Sequence, residues 1–386
     1  MLKILQLAPV FRVAGVPRVI VEQTLALRKL GYDCRIACRG LAKGENDFFK
    51  AVKRYVIKKP SLSFLHLNFF TSHFVPLKLP QSFRPDVILS HNFVDAKRGL
   101  KIAEASGAKF GLYLHNMHSQ MYTLQFHENI PLLRLFRWNK RYAAGTVRFL
   151  CPDPLSDTAS SFWNSGYGRR IYSKIVDNES KIVAASDFVL GNSRLLANHV
   201  QEAHGVRPKV VYPGATSSRS IPDSRGEILL AFPSQILPLI VRTHPRLKTK
   251  IKVVGFLTRG LRKALIQSGI APLQNVSDQT LQSLYSSCRV FFNSIQTWFG
   301  MWAVECATHG APIIQNGLSG SSEIFKHGVD GYFPMEHDEA EYIRFIGDLM
   351  QDERKAFRMG RHAWTTIQKY TWEKHAKDIV ASIKRG

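Results

Sequence analysis

Acidic side chains are scarce here: 29 Asp and Glu stand against 53 Lys and Arg, leaving a formal charge of +24 over 386 residues. That shortage points to anionic partners. No apolar run approaches the ~18–20 residues that span a bilayer. The opening Met1-Leu-Lys-Ile-Leu-Gln-Leu-Ala-Pro9 is too short and too soon interrupted for a signal peptide. Cysteine is sparse and odd in number, at 34, 38, 151, 288 and 306. Cys34 and Cys38 have no second pair, so a zinc site is a weak reading and a reduced, cytoplasmic protein is expected. Glycine is too thin near the N-terminus for a dinucleotide fingerprint, because Gly15 stands where three are needed. Ser193 and Asp187 find no histidine in a triad arrangement, which excludes that kind of hydrolase.

What is present is globular. Apolar residues make up 45% and charged residues 21%, with 24 Phe, 12 Tyr and 6 Trp. The length suits two domains rather than one core. Lys3–Ala8 reads as a buried strand, Val19–Leu30 as a helix stopped at Gly31, and Cys34–Cys38 as the next strand. Strand, helix and strand in that order make a βαβ unit on a parallel sheet. The pattern recurs with strands at Asp86–Ser90, Phe110–Leu114, Phe188–Leu190 and Lys209–Tyr212. After the Ser/Arg/Pro/Asp-rich stretch from Thr216 to Arg225 it restarts at Ile228–Ala231, Ile251–Val254, Val290–Phe292 and Pro312–Ile314. The tail from Glu339 to Lys384 is helical throughout in pattern. Two doubly wound α/β domains with the ligand between them follow: 1–213, a linker at 214–225, and 226–368. A last helix over 369–386 can cross back to the first domain.

The densest chemistry lies between Phe291 and Phe333. A strand ends at Asn293, a loop carries Gly300, and a helix opens at Met301 and stops at Gly310. Gly300 lets backbone approach a ligand closely, and the amides of the helix start suit a phosphate. Glu305, about one turn in, is placed to accept two ribose hydroxyls. Read alone, it is better explained as an ordinary helix glutamate.

The order of the pieces resembles the donor-site signature of glycosyltransferase family 4, retaining enzymes of the GT-B fold with two Rossmann-like domains. Ser294, Phe299, Gly300, Glu305, Gly310, Pro312, Glu323 and Gly331 match in order and spacing. Ala14-Gly15 is similar to the family's glycine loop. Pro85-Asp-Val-Ile-Leu-Ser-His91 and His115-Asn116 resemble its first strand-end histidine and a later one, and Tyr370-Thr-Trp-Glu373 the start of its last helix. The resemblance implies a nucleotide-diphosphate sugar as donor substrate and no further cofactor. It places Gly15, Asn275, Val276, Phe299, Gly300, Met301, Trp302 and Glu305 at the donor, with the stretch at Asn275-Val276 by the base. His115, Glu305 and Thr297 are the positions it assigns to the reaction. It implies retention by front-face attack, the leaving phosphate taking the acceptor proton. Asp153-Pro-Leu-Ser-Asp157 is not the Asp-x-Asp of metal-dependent transferases, so no catalytic metal is expected.

Two departures stand out. Thr297 occupies the place of the first glutamate of the family's pair. The Gly-Arg and later Lys that hold the diphosphate are missing from Leu230-Ala-Phe-Pro-Ser-Gln235, where Arg242, Arg246 and Lys248 are the nearest cations. A non-catalytic subunit of a glycosyltransferase complex is therefore an alternative.

Charge is uneven. Residues 1–150 hold 24 basic and 8 acidic side chains, so +16 of the +24 lies there. At helical spacing Arg134, Arg137, Lys140 and Arg141 share an arc beside Phe136 and Trp138, an arrangement that suits an anionic membrane surface as well as it suits a core helix with a basic edge. The expectation is a cytoplasmic enzyme, peripheral on the inner membrane face, that glycosylates a lipid-linked or cell-envelope glycan. A nucleic-acid-modifying glycosyltransferase is the less favoured acceptor reading.

Overall fold

The computed structural model describes residues 1–8, 15–38, 51–58, 79–80, 82–116, 166–216, 218, 220–222, 224–255, 257, 259–273, 276–335 and 338–385. These fall into two units, the first reaching Gly214 and resuming at Trp372, the second running from Ala215 to Thr371.

The first unit is built on β1 (Lys3–Ala8), β2 (Asp33–Cys38), β3 (Val56–Lys58), β4 (Val87–Ser90), β5 (Lys109–Leu114), β6 (Phe188–Gly191) and β7 (Lys209–Val210). They form one sheet in the order β3-β2-β1-β4-β5-β6-β7, parallel at every pairing. Ile4, Leu5 and Leu7 of β1 are fully buried, as a central strand covered on both faces requires. The helices are α1 (Gly15–Lys29), α2 (Phe93–Ser106), α3 (Gly166–Ala184) and α4 (Arg194–His204). Asn92 and Ser193 cap α2 and α4 by accepting the Asp95 and Leu196 amides, each at 3.1 Å. α1 starts four residues earlier than the apolar spacing suggests, with Pro17 in its first turn, where a missing amide costs nothing.

The second unit carries β8 (Ile228–Ala231), β9 (Ile251–Val253), β10 (Cys288–Asn293), β11 (Ile313–Gln315) and β12 (Gly331–Tyr332), parallel in the order β12-β11-β10-β8-β9. Its helices are α5 (Ile236–Thr243), α6 (Arg259–Gln267), α7 (Asp278–Ser287), α8 (Met301–Thr308), α9 (Glu339–Gln351) and α10 (Glu353–Ile367). The tail expected to be helical throughout is three helices instead. Asp352 is extended and caps α10 by accepting the Lys355 amide at 2.9 Å. Residues 368–371 then leave the helix, with Thr371 bridging to Ala215. The last helix, α11 (Trp372–Ile383), belongs to the first unit and lies on α1.

Buried Arg225 ties the entry strand down. Its guanidinium donates to the carbonyls of Tyr285, Ser286 and Cys288, and to that of His309 beyond α8. One cation thereby satisfies carbonyls at the ends of α7 and α8. α10 passes so close to the same corner that a Cβ on Gly360 would overlap the Gly310 carbonyl. Gly360→Ala is therefore expected to lower stability by about 1–3 kcal/mol through overpacking, measurable as a drop in melting temperature. An unchanged melting temperature would show that α10 can move off α8 freely.

Candidate functional site

The C-terminal edge of the second sheet gathers Ser294, Thr297, Phe299, Gly300 and Glu323, whereas Gly310 and Pro312 lie at the opposite edge, after α8 and before β11. Just past β8 and β10, the Ser234 and Ser294 hydroxyls meet at 2.7 Å, both buried. Asn293 closes a turn by accepting the Ile295 amide at 3.1 Å. The Asn316 amide donates to the Asn293 carbonyl at 3.0 Å, fixing the ends of β10 and β11 together. Thr297 and Phe299 then lie against the 3₁₀ turn Gly320–Ile324: the Gly320 amide donates to the Thr297 carbonyl at 3.0 Å, and that of Ser321 to the Phe299 carbonyl at 2.7 Å.

Gly300 begins α8 at φ +92°, a left-handed conformation that side chains rarely adopt. A Cβ there would also sit 2.6 Å from Thr297 Oγ1. That oxygen is buried with no hydrogen-bond partner among the described residues. Met301 and Trp302 follow in the first turn, whose amides an α-helix leaves without intrahelical acceptors. Glu305, the fifth residue of α8, is 8% exposed, and Tyr285 on α7 donates its hydroxyl to Oε2 at 2.8 Å. Tyr285 was not among the residues the sequence singled out, since an aromatic in an amphipathic helix carries no mark of its use. Val276 is half-buried just before α7, and Asn275 lies outside the described residues.

Among the described residues, the cations nearest in sequence do not take the place of the missing ones. Arg242, Arg246 and Lys248 are exposed at the far end of α5 and in the 3₁₀ turn before β9, on the opposite edge of the sheet. In their family position past β8, Phe232 instead packs against Trp302 with ring centroids 3.7 Å apart. Among the described residues no cluster of three or more His, Cys, Asp or Glu could hold a metal, and no helix is long and apolar enough to cross a membrane.

In the first unit Gly15, His91 and His115 all follow strands at the C-terminal edge, after β1, β4 and β5. His115 is 5% exposed, and Asn192 donates to its carbonyl at 3.2 Å. His91 Nδ1 and His115 Nε2 are 2.9 Å apart with the rings stacked. Behind them lie Gln6 on β1, Gln23 and Thr24 on α1 and His375 on α11, all buried. None of these four was expected from sequence at the site. The available signal was a glutamine inside the apolar run Ile4-Leu-Gln-Leu-Ala8 and another on the apolar face of α1. Arg134, Phe136, Arg137, Trp138, Lys140 and Arg141 lie outside the described residues.

Comparisons with known proteins cover both units. The model of Glycosyltransferase Family 4 matches residues 13–219, and that of Glycosyl transferases group 1 matches residues 228–352. The D-inositol 3-phosphate glycosyltransferase of Nocardia farcinica is 25% identical over 244 residues, 53% of this chain and 54% of its own. The chain thus spans about half the length of the curated relatives it matches. Among solved structures, Anabaena HepE in complex with UDP and glucose superposes with a TM-score of 0.67 at 15% identity over the whole of both chains. Sucrose-phosphate synthase of Thermosynechococcus elongatus does so at 0.68 and 12%, covering 100% of this chain and 99% of its own. At such identities the likeness shows the fold.

Burial sets the protonation of the edge in the first unit. It holds His91 well below the usual histidine value and lowers His115 to about 3, while His375, despite the Tyr212 carbonyl, falls to about 4. Each folded value lies below the unfolded one near 6.5, so on acidification the unfolded chain takes up protons first. Stability is full above about pH 7 and declines from about pH 6.5 toward pH 4, by roughly 1 kcal/mol per pH unit for each ring. The melting temperature at pH 5 should fall clearly below that at pH 7.5. A flat profile would mean that the rings are not held neutral.

Proposed function

The chain belongs to glycosyltransferase family 4 and has the GT-B fold, and from that premise we propose that it transfers a sugar from a nucleotide-diphosphate sugar to a glycan acceptor with retention. The observation that carries this reading is the corner formed by Gly300, the start of α8 and buried Glu305 at the C-terminal edge of the second sheet, where parallel α/β sheets bind their ligands. Glu305 takes the ribose. A carboxylate has about four acceptor sites, and the Tyr285 hydroxyl bond holds the Glu305 side chain in place. The amides of Met301 and Trp302 take the diphosphate, helped by the Ser234 and Ser294 hydroxyls, in a cradle of neutral donors that stands in for the absent Arg and Lys. His115 acts beside the transferred sugar, and Thr297 offers a hydroxyl where the family has a charge.

The acceptor is anionic, a phosphate-bearing or lipid-linked envelope glycan on a membrane surface. The +16 carried by residues 1–150 supports this, as does a relative named for a phosphorylated inositol. A second reading, a subunit without catalysis, is favoured by one observation: Phe232 and Trp302 fill the place of the diphosphate-binding cations.

Calorimetry against UDP, GDP, ADP, CMP and their common sugar conjugates separates the two. A clear preference for one diphosphate supports transfer, and no binding supports the silent subunit. Glu305→Ala should weaken binding of the preferred nucleotide by about ten- to a hundredfold, the loss of hydrogen bonds to a charged group. Unchanged affinity would remove Glu305 from the ribose. Reversing charge in the triple variant Arg134→Glu, Arg137→Glu and Arg141→Glu should lower binding to anionic liposomes. If sedimentation with such liposomes is unaltered, the membrane face lies elsewhere.

A further inference from the structure

Thr24 has one hydroxyl proton, and it is committed: Oγ1 lies 2.7 Å from the Ile20 carbonyl, an acceptor one helical turn back. Toward Gln6, 2.7 Å away, Thr24 can therefore only accept, which turns the Gln6 amide so that Nε2 faces Thr24. The same Nε2 lies 3.1 Å from Cys34 Sγ. Gln6 Oε1 then faces two groups that must both donate, Gln23 Nε2 at 2.8 Å and His91 Nε2 at 2.7 Å. A neutral imidazole with its proton on Nε2 has a lone pair on Nδ1, so His91 accepts from His115 at 2.9 Å. His115 must carry its own proton on Nε2, leaving Nδ1 as its lone pair.

On this geometry we infer that His91 is a positioning residue that fixes the orientation and tautomer of His115, and that Gln6, Gln23 and His375 extend that control through the first unit to α11. The inference rests on the reading that His115 acts at the transferred sugar. Packing agrees with it. The His91 and His115 rings lie 13° from parallel at 5.2 Å, and Tyr113 stands edge-on to His115 at 4.6 Å with its own hydroxyl held by the Val211 carbonyl at 2.8 Å. Flipping the His115 ring would break the bond between its Nε2 and His91 Nδ1. Behind Gln6, Gln23 Oε1 faces His375 Nε2 at 3.0 Å, while His375 Nδ1 faces the Tyr212 carbonyl at 2.8 Å. Both contacts ask His375 for a proton, and a neutral ring has one to give, so this link to α11 is the weakest in the chain. His115 thus presents a lone pair, not a proton, to whatever approaches it.

The test is nitrogen-15 spectroscopy of the full chain with labelled histidine at neutral pH, which needs no substrate. The wild type should show His115 as a single tautomer protonated on Nε2. His91→Phe should lose that single pattern, and His91→Asn, whose Oδ1 can accept the same proton, should restore it in part. Where His91→Phe does not fold, Gln23→Met reads the same relay one step further back and should broaden the His115 signals. A His115 tautomer unmoved by these replacements, or one protonated on Nδ1 in the wild type, overturns the relay. Turnover retained in His115→Ala would instead overturn the functional reading of His115, while the tautomer result would stand on its own.

Discussion

Every described strand in either sheet pairs in parallel with its neighbours, and that constraint decides where everything else can be. Parallel pairing forbids tight hairpins, so each strand must be followed by a crossover that returns the chain to the opposite edge. All C-terminal strand ends of a sheet consequently emerge together. Gly15, His91 and His115 are far apart in sequence, as are Ser234, Ser294 and Asn316. His91 meets His115, and Ser234 and Asn316 meet Ser294, because each follows a strand that runs the same way as its neighbour, and Gly15 opens the helix after β1 at the same edge.

That constraint also explains which features could be read from sequence. Continuous apolar runs such as Lys3–Ala8 and Val290–Phe292 announce strands buried on both faces, and the loops after them are where a ligand belongs. Gly300 and Pro312 are recognisable because a left-handed backbone conformation and a strand start each favour one residue type, and Glu305 stands out as a buried carboxylate at the spacing the proposed ribose contact asks for. The buried relay was not. Gln6 and Gln23 have no periodic signature, and their meaning depends on which side chains share the interior with them. The tail was legible in part, with the start of its last helix marked by Tyr370-Thr-Trp-Glu373 and the break at Asp352 unmarked. Its spacing is helical throughout, but Asp352 gains more by capping the next helix than by extending the last, and residues 368–371 leave the helix before Trp372 starts α11.

On the proposed reading, the second sheet's edge is a donor site whose charged positions have changed. Thr297 stands where a carboxylate is expected, and Phe232 packs on Trp302 where cations are expected. Among the described residues that edge offers hydroxyls, amides and the buried carboxylate of Glu305, to which the Tyr285 hydroxyl donates.

The position of α11 sets an order of assembly. Domains usually mature from the N-terminus as the ribosome releases them. Here the first unit lacks a helix on α1, and a partner for Gln23, until residues 372–383 have been made. By then the whole of 215–371 has already been synthesised. The half of the molecule that begins first therefore waits on the last helix, and a chain cut short before Trp372 would carry every residue of 215–371 beside a first unit with α1 uncovered.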